Sequence, residues 1–253
     1  MSNNDNELRV CSYNIHKGFC AVNIRPILQN LRHAIRTIDA DLVFLQEVVG
    51  ERLNSIASDN TQDKTANSYP QFEYLADEVW PHHAYGRNAI YQKGHHGNAI
   101  LSKNPFLDWD NIDVSQWWFS QRGILFGKID RGVYLVCVHF GLFAAERRKQ
   151  LQQVLTLLSQ QVPADQPVII AGDFNDWTGD LHRQLTGDLQ FEEAYSNMFG
   201  HPAKTFPARL PIFAMDRIYY RNLQLLDAEV LSGAPWLRLS DHRPLYAVFG
   251  LDE

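Results

Sequence analysis

The 253-residue chain is short of cysteine, of basic charge and of long apolar runs. Its three cysteines, Cys11, Cys20 and Cys137, are an odd number without the spacing of a zinc site, which favours reduced thiols and a cytoplasmic location. No apolar run approaches the roughly 20 residues that a membrane-spanning helix needs. The first residues, MSNNDNELRV, also lack the basic and apolar regions of a signal peptide.

Acidic residues outnumber basic ones, with 29 Asp and Glu against 23 Lys and Arg and a net charge of −6. A protein that binds nucleic acid tightly normally carries a basic excess, because much of its affinity comes from contacts with phosphates. The composition therefore argues against tight nucleic-acid binding. It leaves room for an enzyme that contacts nucleic acid briefly through a local basic patch.

The length and a hydrophobic content of 45% predict one globular domain over residues 1–253, with residues 1–7 as a flexible N-terminus, and we expect a monomer. Apolar periodicity predicts helices over 23–38, with Asn23 as the N-cap, and over 144–160. It predicts strands over 8–13, 42–45, 98–102, 123–129, 133–140, 167–171, 216–220, 223–231 and 244–250. Many strands with a few helices indicate an α/β fold of two packed sheets with helices outside them.

Polar side chains collect at the ends of these strands. The stretch AGDFND, residues 171–176, runs from a buried strand into Asp173 and Asn175, although Asp and Asn often follow strands simply as turn formers. Six further residues share this placement, at the end or directly before the start of a strand: Asn14, Glu47, His139, Asp216, Asp241 and His242. In a mixed sheet the end of one strand adjoins the start of its antiparallel neighbour, so we expect these side chains along one edge.

This set combines carboxylates, amides and imidazoles, which are hard oxygen ligands together with groups that carry protons. Mg²⁺ prefers one or two carboxylates, keeps several waters and contacts substrate phosphates. Metal-assisted hydrolysis of a phosphate ester is the reaction that uses all of these parts. The sequence therefore predicts a phosphoesterase that depends on Mg²⁺, with Mn²⁺ as a second possible cofactor.

Seven short motifs follow one another between residues 11 and 245: SYNIHKG, LQEV, GNAILSKNP, VHFGL, GDFND, DRIYY and LSDHRPL. Any one of them occurs by chance, but the ordered set resembles the endonuclease/exonuclease/phosphatase superfamily. The resemblance implies a four-layer α/β/β/α sandwich of two mixed sheets with outer helices, and a site at one edge of the paired sheets. SYNIHKG and HHGNA resemble a bacterial branch of the superfamily, which does not imply a particular substrate.

The resemblance implies roles for the clustered residues. Glu47 is the main metal ligand, with Asn14 beside it, and Asp241 is a further candidate ligand. Asp173 orients or deprotonates the attacking water, and Asn175 donates a hydrogen bond to a phosphate oxygen in the transition state. The acid-x-amide spacing suits these two roles, because both side chains project the same way from an extended backbone.

His242 and Asp216 are predicted to pair, with the carboxylate orienting the imidazole and stabilising its charged form beside the phosphate. An ion pair between Asp216 and Arg217 is the alternative, but adjacent strand residues point to opposite faces. His139 is predicted to donate to a phosphate oxygen, the alternative being a histidine in the core. Abasic-site endonucleases of the superfamily generally carry Tyr in this part of the site, so His139 argues against abasic-site repair.

Three more residues, Asn98, Arg122 and His16, are predicted to contact substrate phosphate. Arg122 is equally suited to capping a strand. His16 shares a strand face with Asn14, which favours a position near the site. His95, in the glycine-flanked segment KGHHGN, is interpreted as a solvated loop histidine.

Residues 108–121, DWDNIDVSQWWFSQ, are rich in aromatic side chains for a polar stretch between strands. If Trp109, Trp117, Trp118 and Phe119 are exposed, they suit stacking on nucleic-acid bases or entering a lipid interface. The alternative is that the rings fold under the loop and pack on the domain.

The substrate class stays open at this point. We predict hydrolysis of phosphodiester bonds, with DNA as the first substrate to test and a phospholipid or small molecule, as a diester or a monoester, as the alternative. A non-catalytic binding protein on the same fold is a further alternative. It is disfavoured because Glu47, Asp173, Asn175, Asp241 and His242 are all present.

Overall fold

Two mixed sheets of six strands each form the centre of the molecule. The computed structural model describes residues 6–18, 27–52, 70–91, 94–187 and 189–251. The first sheet contains β1 (Glu7–Asn14), β2 (Leu42–Arg52), β3 (His82–Tyr91), β4 (Gly94–Ser102), β11 (Gln224–Val230) and β12 (Leu245–Gly250). The second contains β5 (Phe106–Asp113), β6 (Gly123–Ile129), β7 (Tyr134–His139), β8 (Val168–Asp173), β9 (Glu192–Glu193) and β10 (Asp216–Arg221).

The strand order is β11-β12-β1-β2-β4-β3 in the first sheet and β5-β6-β7-β8-β10-β9 in the second. Five α-helices lie within the described residues: α1 (Leu28–Thr37), α2 (Gln71–Ala76), α3 (Ala144–Gln161), α4 (Asp180–Gly187) and α5 (Ala194–Phe199). Short 3₁₀ turns cover His16–Gly18 and Trp236–Arg238.

Three hydrophobic clusters separate the layers. The central cluster lies between the sheets and takes Val10 and Phe44 from the first sheet and Ile169 from the second. A second cluster packs α1 and α2 on the outer face of the first sheet, and a third packs α3 and α4 on the outer face of the second. Alternate residues of one strand point to opposite faces, so each central strand contributes to an inner and an outer cluster. The result is the four-layer sandwich that the sequence predicts.

Strand pairing brings the polar strand ends to one edge. β7 and β8 run parallel with His139 opposite Asp173, and β8 and β10 run antiparallel with Asp173 opposite Asp216. In the first sheet β1 and β2 run parallel with Asn14 opposite Gln46, the residue before Glu47. The predicted convergence of strand ends is therefore a feature of the fold.

Most of the predicted elements are present, with differences at their ends. β2 continues from the predicted 42–45 segment to Arg52, and α1 begins at Leu28. The predicted cap Asn23, as well as Cys20 and residues 1–5, lies outside the described residues. Glu7, which we predict as part of a flexible N-terminus, belongs to β1.

Two segments predicted as loops are strands. Residues 106–113 form β5, whose only partner within the described sheet is β6; an edge strand tolerates the many exposed polar side chains that hid it from the apolar pattern. His95 lies in β4, and its Nδ1 is 2.9 Å from the hydroxyl of Tyr85, so it is not a solvated loop histidine. The neighbouring Gly97 permits this strand pairing, because a Cβ there would lie 1.8 Å from the carbonyl oxygen of Gly86.

Within the described ranges, no helix is both long and apolar enough to cross a membrane. Cys11 and Cys137 are buried free thiols in that part of the chain, and burial raises the pKa of both. These thiols belong to the core, as their apolar sequence context predicts.

Candidate active site

Asp173, at the end of β8, is the centre of the polar cluster. Its Oδ2 accepts a hydrogen bond from Asn14 Nδ2 at 3.1 Å, and its Oδ1 accepts one from the backbone N–H of Asn175 at 2.9 Å. The Nε2 atoms of His139 and His242 lie 3.6 and 3.9 Å from the same Oδ2. These two distances are too long for direct hydrogen bonds but short enough for strong electrostatic interaction between the groups.

The backbone at the site is held in left-handed conformations that side chains rarely adopt. Glu47 has a φ of 56° and lies where the β2–β4 register shifts between Leu45 and Val48, which is a β-bulge. Asn175 has a φ of 49°. Bulges re-aim side chains beside active sites, and strained residues of this kind concentrate there.

Gly172 is required for the position of Asp173. It has a φ of 148°, and a Cβ at this position would lie 1.9 Å from the carbonyl oxygen of Val138 on the neighbouring strand. Only glycine combines that backbone conformation with so close an approach.

We expect Gly172→Ala to lower the free energy of unfolding by about 3 kcal/mol, because it adds a steric clash with backbone to an unfavourable φ. Gly200→Ala is the matched control: Gly200 has a φ of 76°, but a Cβ there meets nothing within 4 Å, so only the conformational cost of about 1 kcal/mol applies. Urea unfolding of the two variants beside the parent measures the difference. Equal losses in both would show that the contact with Val138 is unimportant.

His242 is paired with Asp216 as predicted. The Nδ1 of the imidazole lies 2.8 Å from Oδ2 of Asp216, which also accepts a hydrogen bond from the hydroxyl of Thr205. Burial lowers the pKa of His242, but the charge and hydrogen bond of Asp216 outweigh burial and raise this pKa to about 10. His242 is therefore an imidazolium at neutral pH, and its carboxylate partner is Asp216; Arg217 makes no ion pair with Asp216.

His139 has the opposite protonation state. Burial lowers its pKa well below the usual value, and the nearby positive charges of Arg122 and His242 lower it further. A neutral imidazole donates one hydrogen bond without carrying a charge. Because its Nε2 faces Asp173, His139 points into the polar cluster instead of into the apolar core.

The carboxyl group of Asp173 is tuned to exchange a proton near neutrality. Burial raises its pKa to about 7; His242 opposes this shift and Asp216 adds to it. A group whose pKa lies near the working pH is well placed to act as a general base.

Glu47 and Asp241 offer partly exposed carboxylates beside this centre. Glu47 Oε1 lies 3.5 Å from Asn14 Nδ2, and Lys17 Nζ lies 3.9 Å from Oε2. Asp241 Oδ1 lies 3.3 Å from His16 Nδ1. The Asn14 amide directs its nitrogen at the carboxylates of both Glu47 and Asp173, so its role as an oxygen ligand to metal stays a prediction.

The residues present fit a hard divalent cation. Asp173, Asp216 and His242 bring ligand atoms within 4.8 Å of one another. However, Asp216 and His242 already bond each other through Oδ2 and Nδ1, so these two ligand atoms are engaged. We therefore favour Glu47, at the more open side of the cluster, over the His242 pair as the principal metal ligand.

Asn98 connects the two sheets at the site. Its Nδ2 donates to the carbonyl oxygens of Gly123 and Cys137 at 3.2 and 3.4 Å. Its buried Oδ1 has no hydrogen-bond partner among the residues that the structure describes. Asn175 is similarly engaged, since its Nδ2 donates to the carbonyl oxygen of Phe140 at 2.9 Å. Each of the two amides therefore keeps a hydrogen-bonding group that a phosphate or a water can use.

Arg122 is half-buried and electrostatically coupled to the cluster. Burial lowers the pKa of its guanidinium, and the charges of Glu146, Asp173 and Glu47 oppose that shift. Its Nη1 donates to the backbone oxygen of Gln121, while its Nε is a buried donor without a partner among the described residues. This environment favours the predicted phosphate contact over a simple strand cap.

His96 is electrostatically coupled to residues of the site, although the sequence did not assign it a role. Burial lowers its pKa to about 4, and the charges of Lys17 and Arg122 lower it further while Glu47 opposes them. Its spacing in the sequence could have indicated this position, because His96 precedes Asn98 by two residues and the two share a face of the strand.

Comparison with known proteins identifies similar sequences. Residues 11–242 match the model of the endonuclease/exonuclease/phosphatase family. The chain is 40% identical over 245 residues to the uncharacterized protein YbhP of Escherichia coli K12, covering 94% of both chains.

Several solved structures have a fold similar to that of this chain. The endonuclease/exonuclease/phosphatase protein from Bacteroides vulgatus has a TM-score of 0.71 at 19% identity, covering 97% of this chain and 99% of that one. Danio rerio TDP2 in complex with single-strand DNA product has a TM-score of 0.70 at 19% identity, covering 97% and 100%. These identities show a shared fold only. Since the family model matches nearly the whole chain, the protein belongs to the endonuclease/exonuclease/phosphatase family, whose members generally hydrolyse phosphoester bonds with divalent metals.

Proposed function

We propose that this protein hydrolyses phosphodiester bonds with the help of a divalent metal ion. The observation that supports this most strongly is the surrounding of Asp173, where a carboxyl group with a pKa of about 7 faces a charged His242 and a neutral His139. A base for water, a cation for developing phosphate charge and a neutral donor are the groups that this hydrolysis needs.

Asp173 accepts a proton from the attacking water, whose oxygen bonds to phosphorus as one P–O ester bond breaks. His242 stabilises the growing negative charge and supplies a proton to the departing alkoxide, and Asp216 keeps its imidazole oriented and charged. His139 and Asn175 donate to the non-bridging phosphate oxygens. The products are a phosphomonoester and an alcohol, and the proton that Asp173 gains restores His242 through solvent.

Glu47, with Asn14 and Asp241 as further candidates, would hold Mg²⁺ or Mn²⁺ at the open side of Asp173. Such an ion polarises the phosphate and neutralises its charge. Asn98, Arg122 and His16 are proposed to contact the phosphate. The carboxylates of Glu47 and Asp173 both face the same amide nitrogen of Asn14.

Glu47→Gln is expected to weaken Mn²⁺ binding by about a hundredfold, because the substitution removes the charge of the principal ligand and leaves its shape unchanged. Isothermal titration of the purified protein with Mn²⁺ measures this directly. Glu73→Gln, on the exposed side of α2, is the matched control and should bind like the parent. Unchanged affinity in Glu47→Gln would remove this residue from the metal site.

DNA is the first substrate to test. The structurally similar zebrafish TDP2 was crystallised with a single-strand DNA product, whereas the net charge of −6 argues against a long nucleic-acid footprint. His139, at a position where abasic-site endonucleases generally carry Tyr, argues against abasic-site specificity. A phospholipid or small-molecule phosphodiester is the second candidate, supported by exposed aromatic side chains next to the site.

Plasmid nicking in Mg²⁺ or Mn²⁺ tests the proposal, beside an EDTA control and the variants His242→Ala and His33→Ala. His33 is exposed on α1 and serves as the matched histidine control. Nicking that needs metal and is lost only in His242→Ala would make the protein a nuclease. Failure to hydrolyse DNA, a chromogenic phosphodiester and phospholipid alike, in protein that binds Mn²⁺, would contradict phosphodiesterase activity.

A further inference from the structure

Six large apolar side chains are exposed on three loops that leave the catalytic edge. Each exposes between 46% and 87% of its surface, and Trp118 is the most exposed. The first loop directly precedes Arg122, the second follows His139 and the third follows Asn175. We call this set the apolar rim; its members are Trp117, Trp118, Phe119, Leu142, Phe143 and Trp177.

Buried polar contacts connect the three loops beneath the rim. Ser120 Oγ donates to Glu146 Oε1 at 2.6 Å, which holds the first loop against the start of α3. Arg147, on the same helix turn, donates to the backbone oxygen of Leu142 and places its guanidinium 5.1 Å from the ring centre of Trp177. Glu146 and Arg147 are almost completely buried. These contacts tie the bases of the three loops to one turn of α3, and the apolar side chains of the rim are exposed above them.

The aromatic rings of the first loop pack on one another above the domain. Trp117 and Phe119 stack with centroids 6.1 Å apart, and Trp118 meets Phe119 edge-on at 5.7 Å. The alternative that these rings fold under the loop is not what the structure shows, since all three are exposed. Large apolar side chains that are exposed together beside a site commonly mark an interaction surface.

We propose that the apolar rim docks on the surface of a zwitterionic phospholipid bilayer and presents a headgroup phosphodiester to the site around Asp173. This proposal rests on the proposed phosphodiesterase function and names its substrate class. Trp and Phe prefer the boundary between headgroups and acyl chains, and Leu adds affinity by burying apolar area there. The phosphodiester of a lipid lies at that same boundary, directly beside the docked rim.

Charge favours a zwitterionic membrane over a polyanionic partner. The chain carries −6 overall, and Asp108, Asp110 and Asp113 are exposed on β5, the strand that leads into the first rim loop. Nucleic-acid stacking surfaces combine separate aromatic platforms with a positive groove that follows the backbone. Here Trp117 and Phe119 already stack on each other, the Trp177 ring lies beside the guanidinium of Arg147, and Leu142 offers no stacking surface. The acidic net charge likewise disfavours binding to an anionic bilayer.

Flotation with phosphatidylcholine vesicles tests docking without requiring catalysis. The parent chain should float with the vesicles in EDTA, and the double variant Trp118→Ala/Phe119→Ala should bind about tenfold more weakly, because it removes two exposed anchors. Leu142→Ser/Phe143→Ser, on the second loop, should do the same. Leu107→Ala/Trp109→Ala is the matched control: these side chains expose 63% and 45% of their surface on β5 but lie outside the rim, so this variant should bind like the parent.

Turnover is measured separately on two substrates. With Mn²⁺, the rim variants should hydrolyse a soluble chromogenic phosphodiester like the parent, yet release about tenfold less phosphomonoester from the vesicles by phosphorus NMR. Absence of flotation by the parent, or equal flotation by the rim variants, overturns the proposal whatever the catalytic result. Loss of DNA nicking in the rim variants, with no vesicle binding by the parent, would instead make the rim a nucleic-acid surface. If the parent floats but hydrolyses none of the three substrates, the proposed function fails and the lipid substrate fails with it.

Discussion

Asp173→Asn should lower phosphodiester turnover by about a thousandfold while leaving the fold intact. The substitution keeps the size of the side chain but removes the proton acceptor of the attacking water. An Asn at this position can still accept a hydrogen bond from either Asn14 or the backbone of Asn175, although not from both. Steady-state kinetics on a soluble chromogenic phosphodiester in Mn²⁺ measure the loss.

Asp173→Asn should leave the free energy of unfolding equal or higher, although it lowers the rate of hydrolysis. The pKa of Asp173 rises from 3.8 in the unfolded chain to about 7 in the fold, so the folded state binds the proton more tightly. This favours folding at low pH, and the benefit is lost as pH rises from about 4 through 7. In EDTA at pH 8, Asp173→Asn removes a buried charge and should therefore be at least as stable as the parent, with a difference that shrinks as the pH falls.

Asp176→Asn is the matched control for this experiment. Both carboxylate oxygens of Asp176 accept backbone N–H groups at the start of α4, from Asp180 and His182. The substitution should lower the free energy of unfolding by about 1 kcal/mol and leave turnover near that of the parent. A parent-like rate in Asp173→Asn, or an equal loss of rate in both variants, would exclude Asp173 as the catalytic base.

Placement at strand ends was readable from the sequence because it is local. An apolar run followed at once by a polar side chain puts that side chain at the end of a strand, as for Asn14 and Asp173. The antiparallel start of a neighbour adds Asp216 to the same edge. The order of the strands was not readable in this way, because pairing joins segments far apart in the chain, such as β8 and β10.

Other features of the site depend on tertiary contacts that leave little mark on the sequence. The left-handed conformation of Glu47 coincides with a register shift between β2 and β4, and the motif LQEV does not predict it. His96 has a strongly lowered pKa because several strands bury it, whereas its glycine neighbours made the segment resemble a loop. Asn98 donates to the backbone of the opposite sheet, a contact that only sheet packing creates.

The two histidines show why residue identity alone does not assign protonation. His139 and His242 both approach Oδ2 of Asp173, yet burial and neighbouring cations keep His139 neutral while Asp216 keeps His242 charged. The carboxylate of Asp216, which bonds His242, accounts for the difference in charge between the two histidines. Removing that carboxylate is therefore the sharpest test of how charge is divided at this site.

Asp216→Asn should lower turnover at pH 8 by about a hundredfold and move the alkaline limit of activity to lower pH. Without this carboxylate, burial is the largest influence left on His242, and only the charges of Asp173 and Asp241 oppose it, so its pKa falls from about 10 and the imidazolium is lost at a lower pH. Lowering the pH should restore part of the rate. The pH dependence of kcat/KM for the soluble phosphodiester, together with NMR titration of the His242 ring, measures both effects.

The pairing of His242 with Asp216 also stabilises the fold, and it does so over a defined range of pH. The pKa of His242 is raised from 6.5 to about 10 by folding, so its stabilisation is complete below about pH 6.5 and is lost as the pH rises through 10. Asp216→Asn should remove this dependence, whereas Asp227→Asn, an exposed carboxylate of β11, should retain it and keep the parent's pH–rate profile. An Asp216→Asn enzyme that is slower but keeps an unchanged alkaline limit and an unchanged His242 titration would show that Asp216 positions the imidazole without setting its charge.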